Sequence, residues 1–128
     1  MPWHITYHPD LAIIETCYEG RLPPNELREA VETTVSQGQS LDTQHFLGDC
    51  SNLEGGHSII ELYELADLLT TLRPYRFREA IILPQLKAVQ RDIEFWETIC
   101  ANRGFIVRVF DTREAALAWL CSASPSDL

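Results

Sequence analysis

Apolar and polar residues alternate at the start of the chain, where Trp3, Ile5 and Tyr7 stand between His4, Thr6 and His8. A period of two is the mark of a half-buried strand. Pro9-Asp10 turns the chain, and Leu11 to Tyr18 predicts a second strand that Gly20 ends, so the natural pairing is a hairpin. Pro23-Pro24 opens a helix, because proline has a helical φ and lacks only an amide that the first turn leaves unpaired. Leu27, Ala30, Val31 and Val35 form its apolar stripe and Gly38 its stop. His45 to Asp49 predicts a short third strand leading into a polar loop.

The spacing changes to that of a helix from Ile59 to Leu72. Ile59, Leu62, Tyr63, Ala66 and Leu69 make one face, Ile60, Leu65, Leu68 and Leu72 widen it, and Glu61, Glu64 and Asp67 lie opposite. Pro74 stops this helix. Ala80-Ile81-Ile82-Leu83 is a continuous apolar run, as in a central strand covered on both sides. Ala88 to Asn102 predicts a third helix, with Val89, Ile93, Trp96 and Cys100 on one face and Gly104 placed for a left-handed cap. Phe105 to Phe110 is the last strand. Asp111-Thr112-Arg113-Glu114 resembles a capping box for a final helix packing Ala116, Trp119 and Leu120.

The predicted order is ββαβαβαβα. Alternating strands and helices imply an α/β fold with a mixed, mostly parallel five-stranded sheet and four helices, the first strand joining antiparallel. Residues 1–122 form a single domain and 123–128 a flexible tail. A chain of 128 residues supports one core. The net charge of −9 repels phosphate backbones and disfavours nucleic acid as a partner. No apolar run reaches membrane-spanning length and the start lacks a secretion signal, so a cytoplasmic location is expected. Cys17, Cys50, Cys100 and Cys121 contain no CxxC pair and read as reduced thiols.

Candidate chemistry gathers in one stretch, GDCSNLEGGHSIIE, from Gly48 to Glu61. Ser58-Ile59-Ile60-Glu61 fits S-x-x-E, in which the serine accepts from the amide three residues on and the glutamate reaches back. Capping explains both residues; contact with an anionic group at the helix amino terminus is the alternative. Gly55-Gly56 matches no phosphate-binding loop and reads as a turn. Cys50 and His57, with Asp49 as orienter, are the residue types of a nucleophile and its base, but Cys50 follows an apolar strand and reads as a buried thiol. His4, His8, His45 and His57 show no metal-ligand spacing. No cofactor is expected and no catalysis. Trp3, near the end of an edge strand, suits either the core or an oligomer surface.

The element order, the pattern FLGDCSNLEG, and Phe95-Trp96-Glu97 with Asn102 to Phe110 and Ala118-Trp119-Leu120 together resemble the SpoIIAA-like (STAS-like) family, in its uncharacterised bacterial branch. The resemblance spans nearly the whole chain and implies a small regulatory or protein-interaction module. Relatives either dock to partner proteins or hold small apolar ligands, so the expected partner is a protein or a lipid-like molecule, and a homodimer is expected. In the docking branch a serine near the helix that follows the third strand is phosphorylated, within Asp-x-Ser-x-x-Asp-Ser-Ser-Gly. Here Asp49 and Ser51 match, Glu54 replaces the second Asp, and Gly55 and Gly56 stand at the two serines. Ser58 takes the phosphorylation role only if the loop is two residues longer. The implied binding surface is Ser51, Asn52, Glu54, Gly55, His57 and Ser58, continuing onto Leu62 and Leu65.

Overall fold

The computed structural model describes residues 2–71 and 76–122. Leu72 and Pro74, the expected end of the second helix, and the tail 123–128 lie outside the described residues. The elements are β1 (Trp3–His8), β2 (Ile13–Arg21), α1 (Pro24–Ser40), β3 (His45–Gly55), α2 (Ile59–Thr70), β4 (Arg78–Ile82), α3 (Lys87–Asn102), β5 (Ile106–Phe110) and α4 (Arg113–Cys121). They build one five-stranded sheet in the order β1-β2-β3-β4-β5. β1 runs antiparallel to β2, and the other pairs are parallel. This is the predicted α/β architecture.

Side chains alternate across the sheet and divide the core in two. Ile14, Tyr18, Phe46, Leu53, Ile81 and Val107 pack beneath α1, α2 and α3. Ile13, Leu47, Ala80 and Ile82 face the other way, onto Ala116 and Leu120 of α4. β2 is therefore buried on both faces, which explains why Ile13, Ile14, Glu15 and Thr16 are consecutively inaccessible. Trp3 belongs to the larger core, and its indole donates to Glu26 Oε2 at 2.9 Å. Among the described residues no helix is long and apolar enough to cross a membrane.

β2 runs through Gly20 to Arg21 and β4 spans Arg78–Ile82 in place of Ala80–Leu83, and three further boundaries differ from the predicted ones for identifiable reasons. β2 begins at Ile13 because Leu11 and Ala12 turn the chain, with Ala12 at φ 54°. α1 runs past Gly38 to Ser40, and Asp42 at φ 54° is the left-handed residue just beyond it. β3 continues to Gly55, so Ser51, Asn52 and Glu54 lie on a strand instead of a loop. Beyond a register shift the pairing resumes as Glu19↔Asn52, Gly20↔Leu53 and Arg21↔Gly55, and Leu53 is buried between exposed Asn52 and Glu54.

Candidate functional site

The helices α1, α2 and α3 do not close completely on the sheet. Between them lies a cavity of about 70 Å³, walled by Tyr18, Phe46, Leu62, Leu65, Ile81 and Trp96 among others. Leu27 and Leu65 wall both this cavity and an outer groove of about 540 Å³ between α1 and α2. The two spaces thus meet at these leucines, and the groove is lined also by Glu61, Glu64, Asp67 and Arg28. The arrangement follows from how α2 is held. It leans on α3 through Tyr63 edge-on to Phe95, at 5.5 Å between ring centroids, and through Arg103 Nε to Asp67 Oδ1 at 2.9 Å.

Glu79 and His57 are the carboxyl and the imidazole that reach this largely apolar space. Glu79 on β4 alternates with Ala80 and so turns toward the three helices, where it accepts from Trp96 Nε1 at 3.3 Å. Burial raises its pKa to about 7, because the ionised carboxylate loses water and the indole bond offsets only part of that loss. His57 follows β3; its side chain is 2% exposed and Nε2 stands 3.5 Å from Asp92 Oδ2. Among the described residues neither ring nitrogen makes a hydrogen bond. Burial lowers the His57 pKa while Asp92 and Glu61 oppose that.

The opposite face holds a second polar cluster. Arg113 at the start of α4 grips Glu15 in bidentate fashion, Nη1 to Oε2 at 2.7 Å and Nη2 to Oε1 at 2.6 Å, while His8 Nε2 meets Oε1 at 2.8 Å. The guanidinium beside Glu15 is the main reason its pKa falls to about 2. Cys17 lies between Glu15 and Asp49, and burial followed by these two carboxylates pushes its thiol up to about 12. Ligand atoms of Glu15, Cys17 and Asp49 fall within 4.8 Å of one another, near enough for a metal. Arg113 already supplies the positive charge there, with Nη1 also 4.0 Å from Asp49 Oδ2.

The residues singled out by sequence divide between these regions. Leu62, Leu65 and His57 wall the cavity, whereas Ser51 turns away from it and donates through N and Oγ to Asp49 Oδ1 at 3.1 and 2.6 Å. Asn52, Glu54 and Ser58 are exposed, and Gly55 is buried. Ser58 is the cap of α2: its Oγ accepts from Glu61 N at 3.4 Å and donates to Glu61 Oε1 at 2.8 Å. Gly56 has φ 110°, and a Cβ there would meet the Leu22 backbone at 2.6 Å, so the Gly-Gly turn is needed for close approach. Cys50 faces the cavity side, buried, with its thiol pKa raised by desolvation, while Asp49 faces the other side. Strand alternation therefore separates the thiol from its supposed orienter. All four cysteines are free.

Glu79 was missed by sequence reasoning. Two signals for it were present: it shares parity with Ile81 on a strand buried on both faces, and the buried indole of Trp96 needs an acceptor.

The chain matches no protein-family model and no curated protein. Among solved structures it is similar to an uncharacterised protein of the DUF3478 family with a SpoIIAA-like fold from Shewanella loihica PV-4. The two share 24% identity and a TM-score of 0.56, over 93% of this chain and 92% of that one. The likeness shows the fold.

Proposed function

We propose that this SpoIIAA-like domain is a non-catalytic binding module whose ligand is a small, largely apolar molecule held between the sheet and α1, α2 and α3. The observation that carries the reading is the cavity with its largely apolar wall, which shares Leu27 and Leu65 with an outer groove. Ligand sites are concave and mostly apolar, with few polar groups to fix orientation. A close-packed core of this size has no structural need for such a space. The non-catalytic part of the reading is supported by Cys50, whose buried thiol is held protonated. Four free cysteines suit a reducing compartment such as the cytoplasm.

The test is a native mass spectrum of untagged protein isolated from its own cells, beside a Val35→Trp variant that fills the cavity. A bound small molecule on the wild type and none on the variant is the expected result. Wild-type protein that carries nothing and takes up no added methylcyclohexane sinks the reading.

A protein-interaction role is the second reading, and one observation favours it. Ile59, Ile60 and Tyr63 are 39%, 69% and 43% exposed on α2, a cluster of large apolar side chains suited to a second copy of the chain. Under this reading Ile60→Asp lowers the sedimenting mass from dimer to monomer, and an unchanged mass counts against it.

A further inference from the structure

Among the described residues Glu79 is the one acidic side chain in the wall of the cavity, and no lysine or arginine joins it there. The indole N–H of Trp96 can only donate, so the bond at 3.3 Å makes Oε1 an acceptor. A proton on this carboxyl therefore belongs on Oε2, the oxygen beside Gly48, where even an added Cβ would come only to 3.5 Å. Among the described residues Trp96 is the side chain bonded to Glu79. The other titratable groups around it are Tyr18 from β2, Cys50 from β3 and Cys100 from α3, all with raised pKa values and so neutral at pH 7. His57 completes the set from the loop before α2, while the lining residues of α1 and α2 are uncharged.

We infer that the cavity takes an uncharged, largely hydrocarbon molecule bearing one acceptor oxygen of the carbonyl type, and that Glu79, positioned by Trp96, donates its carboxyl hydrogen bond to that oxygen. The inference rests on the cavity being a ligand site. Charge decides the class. An anion would cross a groove where Glu61, Glu64 and Asp67 outnumber Arg28 and would then meet a carboxyl. An ammonium would bring three N–H donors into a space where Glu79 is the one carboxyl and the other oxygens are hydroxyls already engaged, Thr16 donating to Thr34 at 2.7 Å and Thr34 to Ala30 O at 2.7 Å. Buried polar hydrogens without partners are costly, and a buried ion pair recovers its desolvation only with full hydrogen bonding. A lone carbonyl oxygen needs one donor, and the protonated carboxyl is one. The cavity of about 70 Å³ holds only a few heavy atoms in this conformation, so a six-membered ring also displaces Leu27 and Leu65. A longer hydrocarbon part extends past Leu27 and Leu65 into the outer groove.

The experiment compares three probes of matched shape, cyclohexanone, methylcyclohexane and cyclohexylamine, on the wild type, Glu79→Gln and Glu79→Leu. The readout is the indole N–H resonance of Trp96, assigned with Trp96→Phe. Near about pH 5.5 the ketone-to-hydrocarbon affinity ratio is expected to exceed that of Glu79→Leu about tenfold, the value of one hydrogen bond. Near about pH 8.5 the advantage disappears in the wild type as the donor ionises. Glu79→Gln, whose amide still donates, keeps the preference at both pH values. A ratio unaffected by Glu79→Leu overturns the inference and leaves the apolar cavity standing. Tighter binding of cyclohexylamine that strengthens as pH rises also overturns it, assigning a cationic ligand. Failure of all three probes on every variant removes the cavity reading and this inference together.

Discussion

Glu15 and Glu79 sit on opposite faces of one sheet, each with its carboxyl turned inward, and their surroundings drive them in opposite directions. Glu15 is met by a bidentate guanidinium and an imidazole, and its pKa falls to about 2. Glu79 is met by a single indole in an apolar space, and its pKa rises to about 7. The α4 face treats a carboxylate as structure, completing its hydrogen bonds from within the chain. The three-helix face leaves a carboxyl with capacity to spare. An internal acid whose bonding is completed by the chain holds the fold together; one left incomplete beside a cavity is available to something else.

The largest expected effect concerns the turn that leads into the roof of the cavity. Gly56→Ala must accept φ 110° and relieve a 2.6 Å approach to the Leu22 backbone. A loss of about 3 kcal/mol in chemical denaturation is expected. A loss below about 1 kcal/mol would show that the loop can move away from Leu22. Arg113→Met comes next. It strips Glu15 of its main partner, and because Arg113 is itself partly in solvent, the expected cost near pH 7 is about 2 kcal/mol. Adding Glu15→Gln recovers most of that cost; if it recovers none, the pair is not what stabilises this face.

Glu79→Gln sharpens the comparison through pH. A carboxyl whose folded pKa lies above its unfolded value of 4.5 disfavours folding once ionised, so its penalty grows from pH 4.5 and is complete above 7. Glu15 has the reverse sign. Its stabilisation is full above 4.5 and is lost as pH falls toward 2. His57, with a lowered pKa, penalises folding as it charges below 6.5, so the difference between variant and wild type is the quantity to measure. That difference is expected to be near zero at about pH 4.5 and to favour Glu79→Gln by about 2 kcal/mol at about pH 8. A flat difference across that range would mean Glu79 ionises as an ordinary surface acid.

Much of the fold was legible because its signals are local. The period-two start, the continuous Ala80-Ile81-Ile82-Leu83 run and the stripe from Ile59 onward each name an element without reference to any other. Ser51 to Glu54 misled because serine, asparagine and glycine favour turns, while the extension of β3 depends on pairing with Glu19, Gly20 and Arg21 on a distant segment. The candidate site was legible only in part. Leu62, Leu65 and His57 reach the cavity, but Glu79 gains its meaning from Trp96, 17 residues away, and Glu15 from Arg113, 98 residues away. No spacing rule joins residues that only the sheet and its covering helices bring together.

The smallest effect compares two helix caps, one on each face. Ser58 caps α2 over the cavity, accepting from Glu61 N at 3.4 Å, and Thr112 caps α4, accepting from Ala115 N at 3.2 Å. Replacement of either by alanine removes one acceptor for an amide of the first turn and costs about 1 kcal/mol or less. The caps differ in what stands behind them. α4 is pinned to the sheet by Ala116 and Leu120 and, through Arg113, to Glu15. α2 is braced chiefly by α3, with the cavity beneath it. Equal losses of cap should therefore have unequal local consequences. Ser58→Ala is expected to speed amide hydrogen exchange along α2 about fivefold, while Thr112→Ala leaves α4 amides within about twofold of the wild type. Equal acceleration of both helices would mean that α2 is as firmly seated as α4, and that the space beneath it is not one the fold can readily open.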